Sequence, residues 1–110
     1  VMEFTKTDYK RCVVVKAVGR YDSATAGELE KVLTNLIPAD KDIVLDMSEI
    51  NFVSSAGWWS IIRVQKELKK KRADLVLVSL NENVRDSMDL IGILQYFTVY
   101  PNMVEALGNL

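Results

Sequence analysis

Two adjacent serines, Ser54 and Ser55, stand in the stretch INFVSSAGWW (residues 50–59), after a short apolar run and before a segment that alternates apolar and charged residues. Serines at such a boundary have three chemical uses. A hydroxyl can cap a helix by accepting an N–H of its first turn, a contact worth about 1 kcal/mol. It can accept a phosphate, adding roughly -1.5 to -2 charges at a helix end whose unpaired N–H groups and dipole favour anions. It can also act as an activated nucleophile. Spacing alone favours the cap, at Ser54 or Ser55. With Ser55 as the helix start, a phosphate switch is equally physical, and Ala56 and Gly57 leave room for an anion to approach the backbone. The nucleophile is the weakest reading, because the 110 residues include no histidine and so lack the commonest general base.

That absence excludes more than one class. No Ser-His-Asp site can be assembled within the chain, and a single cysteine, Cys12, can neither form an internal disulfide nor contribute to a cysteine-rich zinc site. None of the five glycines precedes Lys-Ser or Lys-Thr, so a Walker-type phosphate loop is missing. Fourteen basic and fifteen acidic residues leave a net charge of -1, with no global field to attract nucleic acid or anionic lipid. No apolar run approaches the ~18 residues a membrane span requires. The expectation is a cytoplasmic, non-enzymatic domain without metal or cofactor, binding no nucleic acid and inserting into no membrane.

The elements that must position the serines follow from the hydrophobic periods. Residues 3–8 and 11–18 read as a strand hairpin turning near Asp8-Tyr9-Lys10, and Gly19 to Asp22 breaks the run. Leu29, Val32, Leu33 and Leu36 mark a helix that Asp22 or Ser23 can cap and Pro38 ends. A buried strand at 43–46 precedes a helix from about Ser55 to Arg72 with Trp58, Ile61, Ile62, Val64 and Leu68 on its apolar face. A strand at 74–79 follows, then a helix capped by Asn81 and stopped by Gly92. A short strand within 94–100 and a helical turn or two at 102–108, packing Met103, Val104 and Leu107, complete the chain. The order β-β-α-β-α-β-α-(β)-α predicts one α/β domain over residues 1–110. It is a small mixed sheet of about four to five strands with four helices packed against it.

The segment IVLDMSEINFVSSAGWWSII, followed by LVLVS and then NENVRDSMDLIGI, resembles the STAS domain of bacterial anti-sigma-factor antagonists. That family pattern has a strand ending in Asp-Leu-Ser, then Phe/Tyr-Met-Asp-Ser-Ser/Thr/Ala-Gly-Leu-Gly opening a helix. GRYDSATAGEL at 19–29 also matches its Gly-x-(Leu/Ile)-Asp segment. The resemblance implies a STAS-like fold and a protein-binding module that docks an anti-sigma factor with serine kinase activity. Phosphorylation of Ser55 would end the docking and a serine phosphatase would restore it. By position, Asp46 and Ser48 match the strand-end Asp-x-Ser, and Asp22 matches an acidic residue in the loop beside the phosphorylation site. The expected docking surface comprises Asp22, Ser23, Ser54, Ser55, Ala56, Gly57, Trp59 and Arg63.

Two positions depart from the pattern. Ser54 replaces its aspartate and becomes a second candidate acceptor, and Trp58-Trp59 replaces its Leu-Gly. At 100° per residue, Trp59 falls roughly 140° from the centre of the apolar face, so it is either an interface anchor or covered by a neighbouring element. Other readings consistent with the resemblance are an accessory subunit docking the ATPase of an ABC-type lipid transport system, and a nucleotide or small-ligand sensor. The basic run KELKKKR at 66–72 reads as a solvated helix end.

Overall fold

The computed structural model describes residues 2–110. Strands β1 (Glu3–Asp8) and β2 (Cys12–Tyr21) form the expected antiparallel hairpin, paired from Glu3↔Val18 to Asp8↔Val13. There follow α1 (Ala26–Thr34), a 3-10 turn at Ile37–Ala39, β3 (Asp42–Val53), α2 (Ser55–Lys70), β4 (Leu75–Val78) and α3 (Glu82–Ile91). A second 3-10 turn (Leu94–Tyr96), β5 (Val99–Tyr100) and α4 (Met103–Gly108) end the chain. The sheet order is β1-β2-β3-β4-β5, with every pair after the first parallel. Each parallel step needs a crossover, and α1, α2 and α3 supply the crossovers.

Both faces of the central strands are covered, which is why they read as nearly continuous apolar runs. On one face Leu29, Leu33, Ile61, Leu68, Val84 and Met88 of the three long helices pack on Val15, Ile43, Leu45, Leu75 and Leu77. On the other, α4 lays Ala106, Met103 and Leu107 over Cys12, Val14, Val44, Val76 and Val78. Val104, expected in that contact, is 82% exposed, and Ala106 takes its place.

Four boundaries differ from those expected. Strand β2 runs on through Gly19 to Tyr21, because Gly19 at φ +128° and two register shifts let the strand bend without ending. Strand β3 has twelve residues rather than the four of its apolar run. Its second half pairs with β2 alone, since β4 stops opposite Asp46, so Ser48, Glu49 and Asn51 remain exposed there. The N-cap position of α1 is Thr25, whose side chain makes no cap bond, rather than Asp22 or Ser23. Helix α2 ends two residues early: Arg72 takes φ +60°, its N–H bonds Lys69 O, and Ala73 N–H reaches back to Leu68 O, a Schellman closure. The basic run at this end is partly ion-paired, Lys69 with Asp74, Lys70 with Glu67 and Lys71 with Asp40.

Candidate functional site

Parallel pairing brings the ends of β2 and β3 to one rim of the sheet. Their last ladder pair is Tyr21↔Val53, and Ser54 N–H continues the ladder by donating to Tyr21 O at 2.9 Å. The residues that follow, Asp22 and Ser23 on one chain segment and Ser54 and Ser55 on the other, therefore leave the sheet side by side. Parallel register is what collects the expected loop and serine segment, although thirty residues separate them in sequence.

The two serines divide the work of the helix start. Ser54 is extended (φ -82°, ψ 170°) and its Oγ accepts Gly57 N–H at 3.2 Å, while its carbonyl accepts Trp58 N–H at 3.0 Å. Ser54 is thus the N-cap. Ser55 is the first helical residue, exposed, and its hydroxyl has no part in the cap. The N–H groups of Ser55 and Ala56 are left without an intrahelical acceptor, as the geometry of a helix start requires.

Gly57 has a different role from the one its size suggested. It is buried, and a Cβ there would lie 3.0 Å from both Tyr21 O and Val53 Cγ1. The glycine exists to let α2 close on the end of β2, and its N–H is already used by Ser54. It supports the rim from beneath rather than opening a path for an anion.

Beneath it lies a polar contact that periodicity does not reveal. Tyr21 and Ser60 are both fully buried and hydrogen-bonded through their hydroxyls, and Ser60 Oγ also donates to Gly57 O at 2.8 Å. Burial pushes the Tyr21 phenol up to about 12. Tyr21 occupies the apolar position of the Gly-x-(Leu/Ile)-Asp pattern, so its hydroxyl had to find a buried partner. Gln65 is a second buried polar residue within the apolar stripe of α2, satisfied by Asp74, by Leu75 and by Tyr96 O.

The loop after β2 is braced by Thr25. Its Oγ1 accepts Asp22 N–H at 2.9 Å and donates to Arg20 O at 2.8 Å. Asp22 Oδ1 accepts Ala24 N–H at 3.0 Å, closing a local turn instead of capping α1. Its Oδ2 faces Arg20 Nε at 3.4 Å, and the Arg20 guanidinium lies over the Phe52 ring, 4.0 Å from the centroid. Ser23 is exposed. Asp46 and Ser48 are not at this rim. Asp46 Oδ1 accepts Ser48 N–H at 3.0 Å in the middle of β3, with Ser48 roughly 16 Å of extended strand before Val53.

The tryptophans point apart. Trp58 is fully buried and its Nε1 donates to Ser87 Oγ at 2.8 Å, tying the start of α2 to α3. Trp59 is 48% exposed. One turn further on, Arg63 spends its fork on Glu30 of α1, with two bonds of 2.8 Å, and the guanidinium holds the Glu30 carboxyl below the ordinary carboxylate range. Grooves of about 570 and 540 Å³ lie along the α1–α2 seam, where Glu30 and Arg63 form part of the wall, and beside Lys66, Lys69 and Tyr96; neither is lined by Ser54, Ser55 or Asp22. Among the described residues no cluster of three or more His, Cys, Asp or Glu is placed to hold a metal. The rim is an exposed surface on which Ser23 and Ser55 are both open to solvent, an arrangement suited to docking.

Comparison with known proteins agrees with this architecture. The STAS domain family matches residues 3–106. The chain belongs to the STAS domain family. A relative from Bordetella bronchiseptica, named "Putative anti-sigma factor antagonist BtrV", is 29% identical over 99 residues, covering 89% of this chain and 85% of the relative. The crystal structure of an anti-sigma factor antagonist from Mycobacterium paratuberculosis superimposes with a TM-score of 0.89 at 24% identity, over 99% of this chain and 93% of that one. The unphosphorylated form of the anti-sigma factor antagonist SpoIIAA does so with a TM-score of 0.82 at 16% identity, over 97% and 95% of the two chains. The five-stranded mixed sheet with four helices is the STAS fold. Within this STAS domain Ser54 stands where the family pattern has aspartate. Serine and aspartate are both leading N-cap residues, so the replacement keeps the cap and removes a charge.

Proposed function

We propose that this STAS domain is an anti-sigma-factor antagonist whose docking is switched by phosphorylation of Ser55. The unphosphorylated rim, formed by Asp22, Ser23, Ser54, Ser55, Ala56 and Trp59 above Gly57, binds an anti-sigma factor with serine kinase activity. Arg63 borders that surface while paired to Glu30. Transfer of a phosphate to Ser55 places roughly -1.5 to -2 charges in the docked interface, where repulsion and desolvation release the partner. A serine phosphatase returns the domain to its binding form. The domain itself performs no chemistry and works in the cytoplasm.

The observation that carries this reading is the division between the serines: Ser54 holds the cap, and Ser55 presents an exposed hydroxyl at the first helical position. The names of the relatives and the existence of SpoIIAA structures in both phosphorylated and unphosphorylated forms support it. The test is a pull-down from the source cytoplasm with wild type and Ser55→Asp side by side. Capture of a kinase-type anti-sigma factor by wild type and its loss from Ser55→Asp is the expected result. Equal capture of the same partner by both proteins, or capture of a transporter ATPase instead, overturns the proposal.

A further inference from the structure

Arg20 is poorly used in the unmodified protein. Its guanidinium rests on the Phe52 ring and meets one carboxylate oxygen of Asp22 at 3.4 Å, too long for a strong charge-assisted bond, with its side chain 63% exposed. Only one Asp22 oxygen faces the guanidinium, and the other accepts Ala24 N–H. Arg63 makes the contrast: its fork is closed on both oxygens of Glu30 at 2.8 Å. An exposed single contact of the Arg20–Asp22 kind contributes little to stability.

Its location gives the loose guanidinium a use. Arg20 is paired with Phe52 in the β2–β3 ladder, one step before the Tyr21↔Val53 pair, and Ser55 follows Val53 by two residues. The aromatic face holds the cation near the rim without saturating its N–H donors. Ser54 is uncharged where the family pattern carries aspartate, so the rim has one carboxylate fewer to compete for that cation. A phosphate offers more charge than Asp22 and three acceptor oxygens suited to the arginine fork.

We propose that Arg20 is the phosphate-binding residue of the modified domain: when Ser55 carries a phosphate, the Arg20 guanidinium swings from Asp22 to pair with it, pivoting on Phe52. This rests on the reading of Ser55 as acceptor and adds the residue that receives the modification. The phosphorylated rim is then an internally paired anion, and Asp22 is left as its free carboxylate.

The test installs phosphoserine at position 55 during translation, so that no kinase is needed, and follows the second ionisation of the phosphate by phosphorus NMR. Three local groups act on that ionisation. The Ser55 and Ala56 N–H groups lower it and Asp22 raises it in every variant, whereas Arg20 lowers it only where present. Arg20→Gln is expected to raise the phosphate pKa by about one unit, the size of a close charge partner's effect, and Arg20→Lys to raise it by less. The Arg20 Nε–H resonance should also shift on phosphorylation of the wild-type sequence. An identical phosphate pKa in wild type and Arg20→Gln overturns the proposal. Kinase labelling of a residue other than Ser55 would instead remove the acceptor assignment and leave this titration readable, so the two failures are distinct.

Discussion

The indole N–H of Trp58 donates to Ser87 Oγ at 2.8 Å, while the adjacent Trp59 turns its ring to solvent and is 48% exposed. Two neighbouring tryptophans therefore belong to different parts of the energetics. Trp58→Ala removes a fully buried ring and its bond to Ser87, and should cost about 3–5 kcal/mol of stability. Trp59→Ala should cost far less stability but at least about 2 kcal/mol of partner binding, the threshold for an interface hot spot. Denaturant melts and titration calorimetry on both variants separate the two effects. Equal destabilisation by both changes would place Trp59 in the core and end its role as an anchor.

The serines should separate in the same manner. Ser54→Ala loses the acceptor of Gly57 N–H and should lower stability by about 1 kcal/mol, with phosphorylation of the folded protein continuing. Ser55→Ala should melt as wild type does and incorporate no phosphate from the cognate kinase and ATP. Mass spectrometry of the labelled protein locates the site. Phosphate found mainly on Ser54 would reverse the assignment.

Gly57→Ala tests the packing beneath the rim. In an unhindered helix interior alanine is favoured over glycine by about 1 kcal/mol. Here the added Cβ meets Tyr21 O and Val53 Cγ1 at 3.0 Å, and the first turn of α2 must move away from β2. The expected sign is therefore reversed, a net loss of about 1–3 kcal/mol typical of overpacking. A more stable Gly57→Ala protein would mean that the α2–β2 approach is softer than its geometry implies.

Tyr21 makes a prediction about alkaline pH. Burial disfavours the phenolate and pushes its folded pKa up to about 12, above the ordinary tyrosine value of about 10. Such a group contributes its stabilisation fully below pH 10 and loses it progressively as pH rises from about 10 towards 12. Thermal melts over that interval should fall more steeply for wild type than for Tyr21→Phe. Absorbance titration should show one tyrosine ionising late or only with unfolding. Identical slopes for the two proteins would mean that the Tyr21 hydroxyl is not held in a dry site.

Much of this arrangement was legible in the residues. Trp58, Ile61, Ile62, Val64 and Leu68 mark the inner face of α2 by period alone, and every one is buried. Asn81 and Gly92 bracket α3 as caps of their types do, with Asn81 accepting Val84 N–H and Gly92 in the left-handed region. What escaped notice has a physical pattern. The second half of β3 interleaves exposed Ser48, Glu49 and Asn51 with buried Ile50 and Val53, so no continuous apolar run announces the strand. The N-cap position of α1 falls on Thr25 rather than Asp22 or Ser23, and its hydroxyl bonds Asp22 N–H and Arg20 O instead of capping the helix. Tyr21 and Ser60 meet across 39 residues of sequence, a pairing that no local spacing encodes. Which of Ser54 and Ser55 caps α2 is not encoded locally, since both are serines and either position would serve.

The fact that Ser54 alone carries the cap bears on how the domain is maintained in a cell. A switch whose modified residue also held its helix together would change its resistance to proteolysis each time it fired, and the signal would alter the supply of its own messenger. In the proposed switch the cap lies one residue away from the acceptor and the backbone dipole favours a phosphate at the helix start, so firing would leave the fold as durable as before. Under that proposal a kinase and a phosphatase would shuttle the pool of protein repeatedly between its two states, with abundance governed by synthesis and signalling history kept separate from it.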